Sequence, residues 1–456
     1  MLTIFDADVT RREWLRIGSI GLGALTLPSL LAARSKQPER AKARSVIIFG
    51  LLGGPPQHET WDPKPDAPAE IRGEFGTIPT SIPGFRIGEL MPKTAKLAHK
   101  IAVLRAVSSG DNAHSSSGYQ MLTGVEHEPR NRENVTAQAP NLAPSLTAIM
   151  RYLRHTVNGL PSAVVLPEHL WNDGNIPWPG QDAGILGRKY NPWLIHCDPN
   201  QPNFQAPEIS PRTELNEIRL KGRQSLLSEL NVVLDREAEN YEKREKNHFR
   251  DKAFDLVSSQ QARKAFAIEE ESPATRDRYG RTRFGQSVLL ARRLVEAGVP
   301  MIQVNWTRIK DAPNQGMWDT HRDHAKSLRS PLMPMMDHSF SALIEDLDQR
   351  GLLDSTLVLW TGEFGRTPKI NGSAGRDHWG NVFSLALAGG GISGGVVHGS
   401  SDAQAAYPRD GRVTPKDIIA TVFDRLGYSP ETELLDHLDR PIPLTRGEVI
   451  KAITTH

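Results

Sequence analysis

The chain has 456 residues, with 55 lysines and arginines against 53 aspartates and glutamates. Residues 1–44 hold eight of the basic and four of the acidic residues, so the rest of the chain carries a net charge of about −2. This balance gives no basis for a nucleic-acid partner, which would require a basic surface. Cys197 is the only cysteine. An intramolecular disulfide is therefore impossible, and a hydrophobic core has to stabilise the fold.

The N-terminus has the pattern of a twin-arginine export signal. Arg11 and Arg12 precede an aromatic residue and a leucine, and residues 17–33 are uncharged. Glycines and a proline interrupt this run, which is shorter than the ~20 apolar residues that a spanning helix needs. We predict that residues 1–34 are a signal read by the twin-arginine translocase, with export to the periplasm or cell surface of a bacterium. A buried helix or an uncleaved membrane anchor is the alternative interpretation.

Buried strands that alternate with amphipathic helices predict an α/β fold. Continuous apolar runs rich in β-branched residues are typical of strands buried on both faces of a parallel sheet. Such strands are predicted at residues 45–52, 101–107, 162–166, 300–305 and 356–361. Helices are predicted at residues 284–297 and 330–351. We therefore expect a mostly parallel central sheet flanked by helices.

The domain organisation follows from changes in composition along the chain. A charged linker is predicted at residues 35–44, before the first strand. Residues 212–268 are charged, nearly free of glycine and proline, and have helical spacing, which predicts a helical insertion or cap. We expect a single domain over residues 45–447 and a C-terminal tail over residues 448–456.

Polar side chains with metal-binding chemistry follow four of the predicted strands. Open α/β sheets bind ligands beyond the carboxyl ends of their strands. The residues in question are His58, Glu59, Asp62, Asp111, Asn112, His114, Asp319, His321, His324, Glu363, Arg366, Arg376, Asp377 and His378. Imidazole with carboxylate suits Zn, Mn or Fe, whereas carboxylates alone suit Ca or Mg. Any one of these residues could cap a turn instead, but their occurrence after four strands predicts a divalent metal centre, with Zn, Mn or Ca as the ion.

Several long motifs resemble a known bacterial family. They are HETWDPKPDAPAEIRGEF, AHSSSGYQMLTG, YGRTRFGQSVLLARRLVEAGVP, WDTH, LVLWTGEFGRTPKINGSAGRDHW and GGGISGGVVHGSSD. The family is the domain of unknown function numbered 1501, whose members are often exported by the twin-arginine route. The resemblance extends from about residue 40 to residue 447. This family is similar to the alkaline phosphatase and sulfatase superfamily, which implies a large central sheet and a one- or two-metal site for ester hydrolysis.

The resemblance also implies a set of metal ligands, because the chain order of the superfamily's site residues is kept. A carboxylate after the first strand is matched by His58, Glu59 or Asp62, and a later Asp-x-His pair by Asp319 and His321. The implied metal site comprises His58, Asp62, Asp319, His321, Glu363, Asp377 and His378. Asp62 and Asp377 are expected either to bind the ion or to contact its ligands, and Asp377 is a candidate partner for a ligand histidine.

The position that the superfamily gives to its nucleophile is occupied by His114, with Ser115 beside it and Ser117 close by. The Cys/Ser-x-Pro-x-Arg context of formylglycine sulfatases is absent, so that chemistry is not expected. Ser115 or Ser117 could act as the nucleophile of a phosphatase, or the serines could cap the following helix. Arg366 and Arg376 are expected to grip oxygens of a phosphate or sulfate group.

Together, the sequence predicts an exported, metal-dependent hydrolase of phosphate or sulfate esters that acts on a small-molecule or polysaccharide substrate. The alternative is a non-catalytic binding protein on an alkaline-phosphatase-like scaffold that has lost its nucleophile. The absence of the Pro and Arg of the sulfatase motif after His114 favours the alternative, and the polar strand ends favour the enzyme.

The export prediction can be tested in cells. Changing Arg11 and Arg12 together to lysine is expected to leave unprocessed precursor in the cytoplasm, because the twin-arginine route recognises the arginine pair. Immunoblots of fractionated cells measure the distribution. Normal export of the double variant would contradict the signal assignment.

Overall fold

The computed structural model describes residues 41–154, 156–157, 160–204, 206 and 259–455. The predicted signal over residues 1–34 lies outside the described residues, as do most of the predicted linker and residues 212–258 of the predicted insertion.

An eight-stranded sheet forms the centre of the described part of the chain. Its strands in chain order are β1 (Ser45–Gly50), β2 (Ile101–Val107), β3 (Ala163–Leu166), β4 (Trp193–Leu194), β5 (Met301–Asn305), β6 (Thr356–Thr361), β7 (Phe383–Ala388) and β8 (Val397–His398). Their order across the sheet is β4-β3-β5-β1-β6-β7-β2-β8. All neighbours pair in parallel except β7, which is antiparallel to β6 and to β2. The predicted mostly parallel sheet is confirmed.

The five predicted strands all occur, each within two residues of its expected bounds. Strand β1 lies in the middle of the sheet, with Val46 opposite Met301 on one side and Leu357 on the other. Strand β7 was not predicted, although its sequence FSLALA is apolar and fully buried.

Helices cover both faces of the sheet. Their bounds are α1 (Ala69–Arg72), α2 (Pro92–Ala95), α3 (His114–Thr123), α4 (Leu146–Leu153), α5 (Gln260–Phe266), α6 (Pro273–Tyr279), α7 (Arg283–Glu296), α8 (His324–Ser327), α9 (Met333–Gln349) and α10 (Pro415–Arg425). Successive residues of a strand point to opposite faces. Phe49 accordingly packs edge-on against Phe284 of α7 and Phe340 of α9, whereas Ile48 lines a small apolar cavity beside α3, α4 and α10.

The two predicted helices are present, and the second begins later than expected. Helix α7 agrees with the predicted 284–297 to within one residue. Helix α9 begins at Met333 instead of residue 330, because Ser330 has φ −160° and ψ 124°. A residue that precedes a proline is biased towards this extended conformation, and Pro331 follows it.

A short ribbon and the C-terminal tail complete the described part of the fold. A two-stranded ribbon pairs Gly365–Arg366 with His378–Trp379 in antiparallel register. The predicted C-terminal tail packs on the domain, since Ile453 is fully buried and Thr454 forms a bridge with Ile392. In the part of the chain that the structure describes, we find no helix with the length and apolar character to cross a membrane.

The packing of Phe49 provides a test of the core. We expect Phe49→Ala to lower the free energy of unfolding by about 3–5 kcal/mol, because it removes a buried ring and leaves a cavity between α7 and α9. Phe49→Leu should cost less, since most of the volume is retained. Denaturant titration measures both, and equal, small losses would contradict the packing described.

Candidate metal centre

Residues from several strand ends converge on one carboxylate, that of Asp319. His114 is the first residue of α3, which follows β2, and His378 lies in the ribbon after β6. Asp319 and His321 follow β5. Because the carboxyl ends of parallel strands meet at one edge of a sheet, these residues share that edge although they are far apart in sequence.

The donor atoms around Asp319 have the spacing of ligands around one ion. The Nε2 atoms of His321 and His378 each lie 3.0 Å from Oδ1 of Asp319 and 2.9 Å from each other. Nε2 of His114 lies 3.3 Å from Oδ2 of the same carboxylate. Two ligands ~2.1 Å from one metal ion are separated by ~3.0–3.4 Å at angles of ~90–109°. His114, Asp319 and His378 together offer donor atoms that all lie within 4.8 Å of one another, and His321, which contacts Asp319 and His378, is not part of this group of three.

The other ring nitrogen of each histidine already has an oxygen partner. Nδ1 of His114 lies 2.7 Å from Oε1 of Glu363, and Nδ1 of His321 lies 2.6 Å from Oδ1 of Asp377. Nδ1 of His378 lies 2.7 Å from the carbonyl oxygen of Asn112. A ligand histidine commonly donates its second N–H to such an oxygen, which fixes the tautomer and leaves the Nε2 lone pair free for a metal.

The arrangement of these side chains favours a bound cation between them. Three Nε2 lone pairs facing a carboxylate would be unfavourable unless a proton or a metal ion lay between them. In the structure, burial opposes protonation of His114, but the hydrogen bonds to Asp319 and Glu363 raise its pKa to about 10. The hydrogen bond to Asp319 likewise raises the pKa of His321. At neutral pH His114 therefore holds a proton, whose place a metal ion would take.

Asp319 and His378 have lowered pKa values. Burial would raise the pKa of Asp319, but Arg366 and the hydrogen bonds from the histidines hold it well below its usual range. For His378, burial together with the charges of Arg366 and His114 outweighs Asp319 and lowers the pKa to about 4. Asp319 is thus ionised and His378 neutral, the states that a metal requires of these ligands.

Glu363 holds His114 and also accepts a hydrogen bond from the backbone N–H of Gly53, at 2.8 Å. Gly53 has φ +110°, and a Cβ at this position would lie 2.3 Å from the backbone nitrogen of Asp319. Only glycine fits so close to the site in this conformation. The predicted ligands Glu363 and Asp377 are hydrogen-bond partners of His114 and His321 in the structure.

His58 and Asp62 are not brought to the cluster. Both are buried, with Nε2 of His58 2.8 Å from the carbonyl oxygen of Gln404. Asp62 forms an ion pair with Lys64 at 3.0 Å and accepts a hydrogen bond from Ser401. We leave these two predicted ligands out of the site proposed below.

The two predicted anion-binding arginines are fully buried and occupied by protein partners. Nη2 of Arg366 lies 2.6 Å from Oδ1 of Asp319, and its Nε donates to the carbonyl oxygen of Gly54. Nη2 of Arg376 lies 2.6 Å from Oε1 of the buried Glu59. Neither guanidinium is available to a substrate, so the structure corrects this prediction. Both arginines hold the site together instead.

The serines after His114 are also buried and paired. Ser115 Oγ accepts a hydrogen bond from Nδ2 of Asn172 at 3.1 Å, and Ser117 Oγ donates to the carbonyl oxygen of Glu363 at 2.6 Å. The N-cap of α3 is Ala113, so the serines do not cap the helix. Their hydrogen bonds fix the first turn of α3, which carries His114.

The cluster opens into a cleft of about 720 Å³. His114, Asp319 and His321 line it, together with Arg322. Arg322 is exposed, and among the described residues its guanidinium has no hydrogen-bond or ion-pair partner. Arg322 was not predicted as a site residue, although its position directly after His321 was a signal that could have identified it.

Residues 43–454 match the model of a family described as protein of unknown function (DUF1501). The chain belongs to this family, as the sequence motifs predict. A search among curated proteins finds no sequence match.

Three solved structures resemble the chain at low sequence identity. The PsFucS1 sulfatase from Pseudoalteromonas sp. is 14% identical, with 88% of this chain and 70% of that chain covered and a TM-score of 0.39. A phosphonate monoester hydrolase from Silicibacter pomeroyi is 13% identical, with 89% and 76% covered and a TM-score of 0.38. The lipoteichoic acid synthase LtaP from Listeria monocytogenes is 10% identical, with 98% and 82% covered and a TM-score of 0.38.

The buried Arg376 and the exposed Arg322 are expected to differ in their contribution to the free energy of unfolding. Arg376→Met is expected to lower the free energy of unfolding by about 3–5 kcal/mol, because it leaves the carboxylate of Glu59 buried without its partner. The matched change Arg322→Met should stay within about 0.5 kcal/mol, as is usual for an exposed side chain. Chemical denaturation measures both, and similar losses would contradict the contrast in burial.

Proposed function

We propose that the protein is an exported hydrolase of phosphate or sulfate esters that uses a divalent metal ion held by His114, Asp319, His321 and His378. The observation that carries this proposal is the convergence of three Nε2 atoms on one carboxylate, each ring fixed through Nδ1. Three imidazoles and one carboxylate suit Zn or Mn better than Ca, which prefers oxygen ligands.

A divalent ion held by these four residues would stabilise negative charge on the ester oxygens and would lower the pKa of a bound water or hydroxyl group. Neighbouring residues of the chain hold the proposed ligands in position. Asp319 is fixed by Arg366, and Glu363 and Asp377 orient two of the ligand histidines. Arg322 lines the same cleft with a free guanidinium, which can bind two oxygens of a phosphate or sulfate group.

The serines do not supply the nucleophile in this proposal. Ser115 and Ser117 are fully buried and paired with protein atoms. Water is therefore the nucleophile that we propose, entering through the cleft. Export of the folded chain by the twin-arginine translocase completes the proposal and rests on Arg11 and Arg12.

The second candidate is a binding protein that keeps the metal centre without turnover. The burial of Ser115, Ser116 and Ser117 favours it, because this is the segment in which the related superfamily carries its nucleophile. The two candidates share metal binding and differ in ester hydrolysis.

Metal content and activity test the proposal together. Protein purified without chelators is expected to contain about one Zn or Mn per chain, and His321→Ala and His378→Ala should each lose it, because each removes a ligand. Asp377→Asn should weaken metal binding by about 10–100-fold, because His321 loses its orienting carboxylate. Elemental analysis and metal titration measure binding, and a panel of phosphate and sulfate esters measures turnover.

Two matched variants serve as controls. His99→Ala removes an exposed histidine outside the cluster, and Ser115→Ala removes a buried hydroxyl beside it. Both should keep the metal and the activity of the parent protein. A wild-type chain without metal would overturn the proposal. A metallated chain inactive on every ester would favour the binding protein, and a folded, metallated but inactive Ser115→Ala would assign the nucleophile to serine.

A further inference from the structure

Beyond the metal ligands, the cleft continues along a wall formed by residues that the proposed function does not use. The wall comprises Trp171, Asn172, Asp173, Arg308, Asn314 and Gln315, and it will be called the polar wall. Trp171 and Asn172 lie in a two-stranded ribbon with Ile176–Pro177. Arg308 follows β5 on the chain segment that leads to Asp319.

An indole and a guanidinium form the centre of the polar wall. The guanidinium carbon of Arg308 lies 4.3 Å from the centre of the Trp171 ring. Nη1 of Arg308 donates to Oδ1 of Asp173 at 2.6 Å and also to Gln315. Nε of Arg308 is buried without a hydrogen-bond partner among the described residues. An N–H left unpaired in this way costs free energy, which the ion pair with Asp173 and the contact with Trp171 offset.

The polar wall is connected to the metal centre. Asn172 accepts a hydrogen bond from the indole N–H of Trp178. The Trp178 ring stacks on the imidazole of His114, with centroids 5.8 Å apart and an interplanar angle of 22°. A group bound at the wall is therefore held at a fixed position relative to the ligands of the proposed ion.

The chemistry of the polar wall selects a class of ligand. Its charged groups are paired, since Arg308 is neutralised by Asp173, so a highly charged ligand has little to gain there. Asp173 and Gln315 are exposed, so the carboxylate and the amide N–H groups can form further hydrogen bonds, which a hydrocarbon chain cannot use. A partly exposed indole beside such groups suits a molecule with an apolar face and a polar edge.

We propose that the polar wall binds a sugar ring, and that the substrate is a phosphate or sulfate ester of a carbohydrate whose alcohol part lies against Trp171 and Arg308. A pyranose ring has C–H faces that pack on an indole, and hydroxyl groups at its edge that pair with amides and carboxylates. This inference rests on the proposed function for the ester, whereas the sugar-binding wall stands on its own contacts.

A comparison of two alcohols tests the inference. Glucose 6-phosphate and n-hexyl phosphate, or the corresponding sulfates, are both esters of primary alcohols but differ in the ring and its hydroxyl groups. The wild-type chain is expected to show kcat/KM about tenfold or more higher for the sugar ester, and Trp171→Ala should remove most of this preference. Trp171→Phe, which keeps an aromatic ring, should retain part of it. Arg308→Ala should also reduce it, whereas the hexyl ester should be hydrolysed by all variants at similar rates.

Binding of a sugar without an ester group distinguishes failure of the inference from failure of the proposed function. Methyl glucoside should quench the tryptophan fluorescence of the wild-type chain and of His378→Ala, but not of Trp171→Ala. Equal hydrolysis of both esters, or equal effects of Trp171→Ala on both, would overturn the sugar wall while ester hydrolysis stands. Sugar binding without hydrolysis of any ester would overturn the proposed function and leave the wall supported. Absence of any binding by the wild-type chain would overturn the wall.

Discussion

The carboxylate of Asp319 is the constraint on which the candidate site depends. It accepts hydrogen bonds or ion pairs from Arg366 and from three histidines, although its side chain is only 32% exposed. A partly buried charge of this kind is tolerated only where partners of opposite charge compensate for lost hydration. Gly53 and Gly54 provide the carbonyl oxygens that fix Arg366, so the turn after β1 is tied to the same carboxylate.

A layer of contacts behind the candidate ligands gives the site its geometry. The Glu59 carboxylate lies between Arg376 and His324, and all three side chains are buried. Burial would raise the pKa of Glu59, but Arg376 and His324 hold it below its usual range. Glu59 therefore stays ionised and anchors the segment that carries His378. The polar residues after the strands therefore form two groups. Some, such as His114, line the cleft, and others, such as Glu59 and Arg376, hold the loops of the site together.

The sequence could predict the edge of the sheet at which the site lies, but not this division into two groups. Strands such as β1 are recognisable because they are apolar without interruption, and the chain order of motifs identified Asp319, His321 and His378. Arg366 and Arg376 follow a strand just as Arg322 does, and only the packing of the loops shows that the first two are buried and Arg322 is exposed. Periodicity carries no information on such long-range contacts. Strand β7 was missed because its sequence, FSLALA, has none of the β-branched residues by which the other strands were recognised.

The ribbon that carries His378 has only two residue pairs, and the register of these pairs decides which side chain faces Asp319. Arg366 stands opposite His378, and Gly365 stands opposite Trp379. Neighbouring residues of a strand face opposite sides, so a slip of one residue would turn the indole of Trp379 towards Asp319 and the imidazole away from it. Two residue pairs cannot define a register by themselves. The loop that connects the two strands defines the register, because Arg376 in this loop is fixed by Glu59. A change in the length of the loop would therefore displace His378 from Asp319.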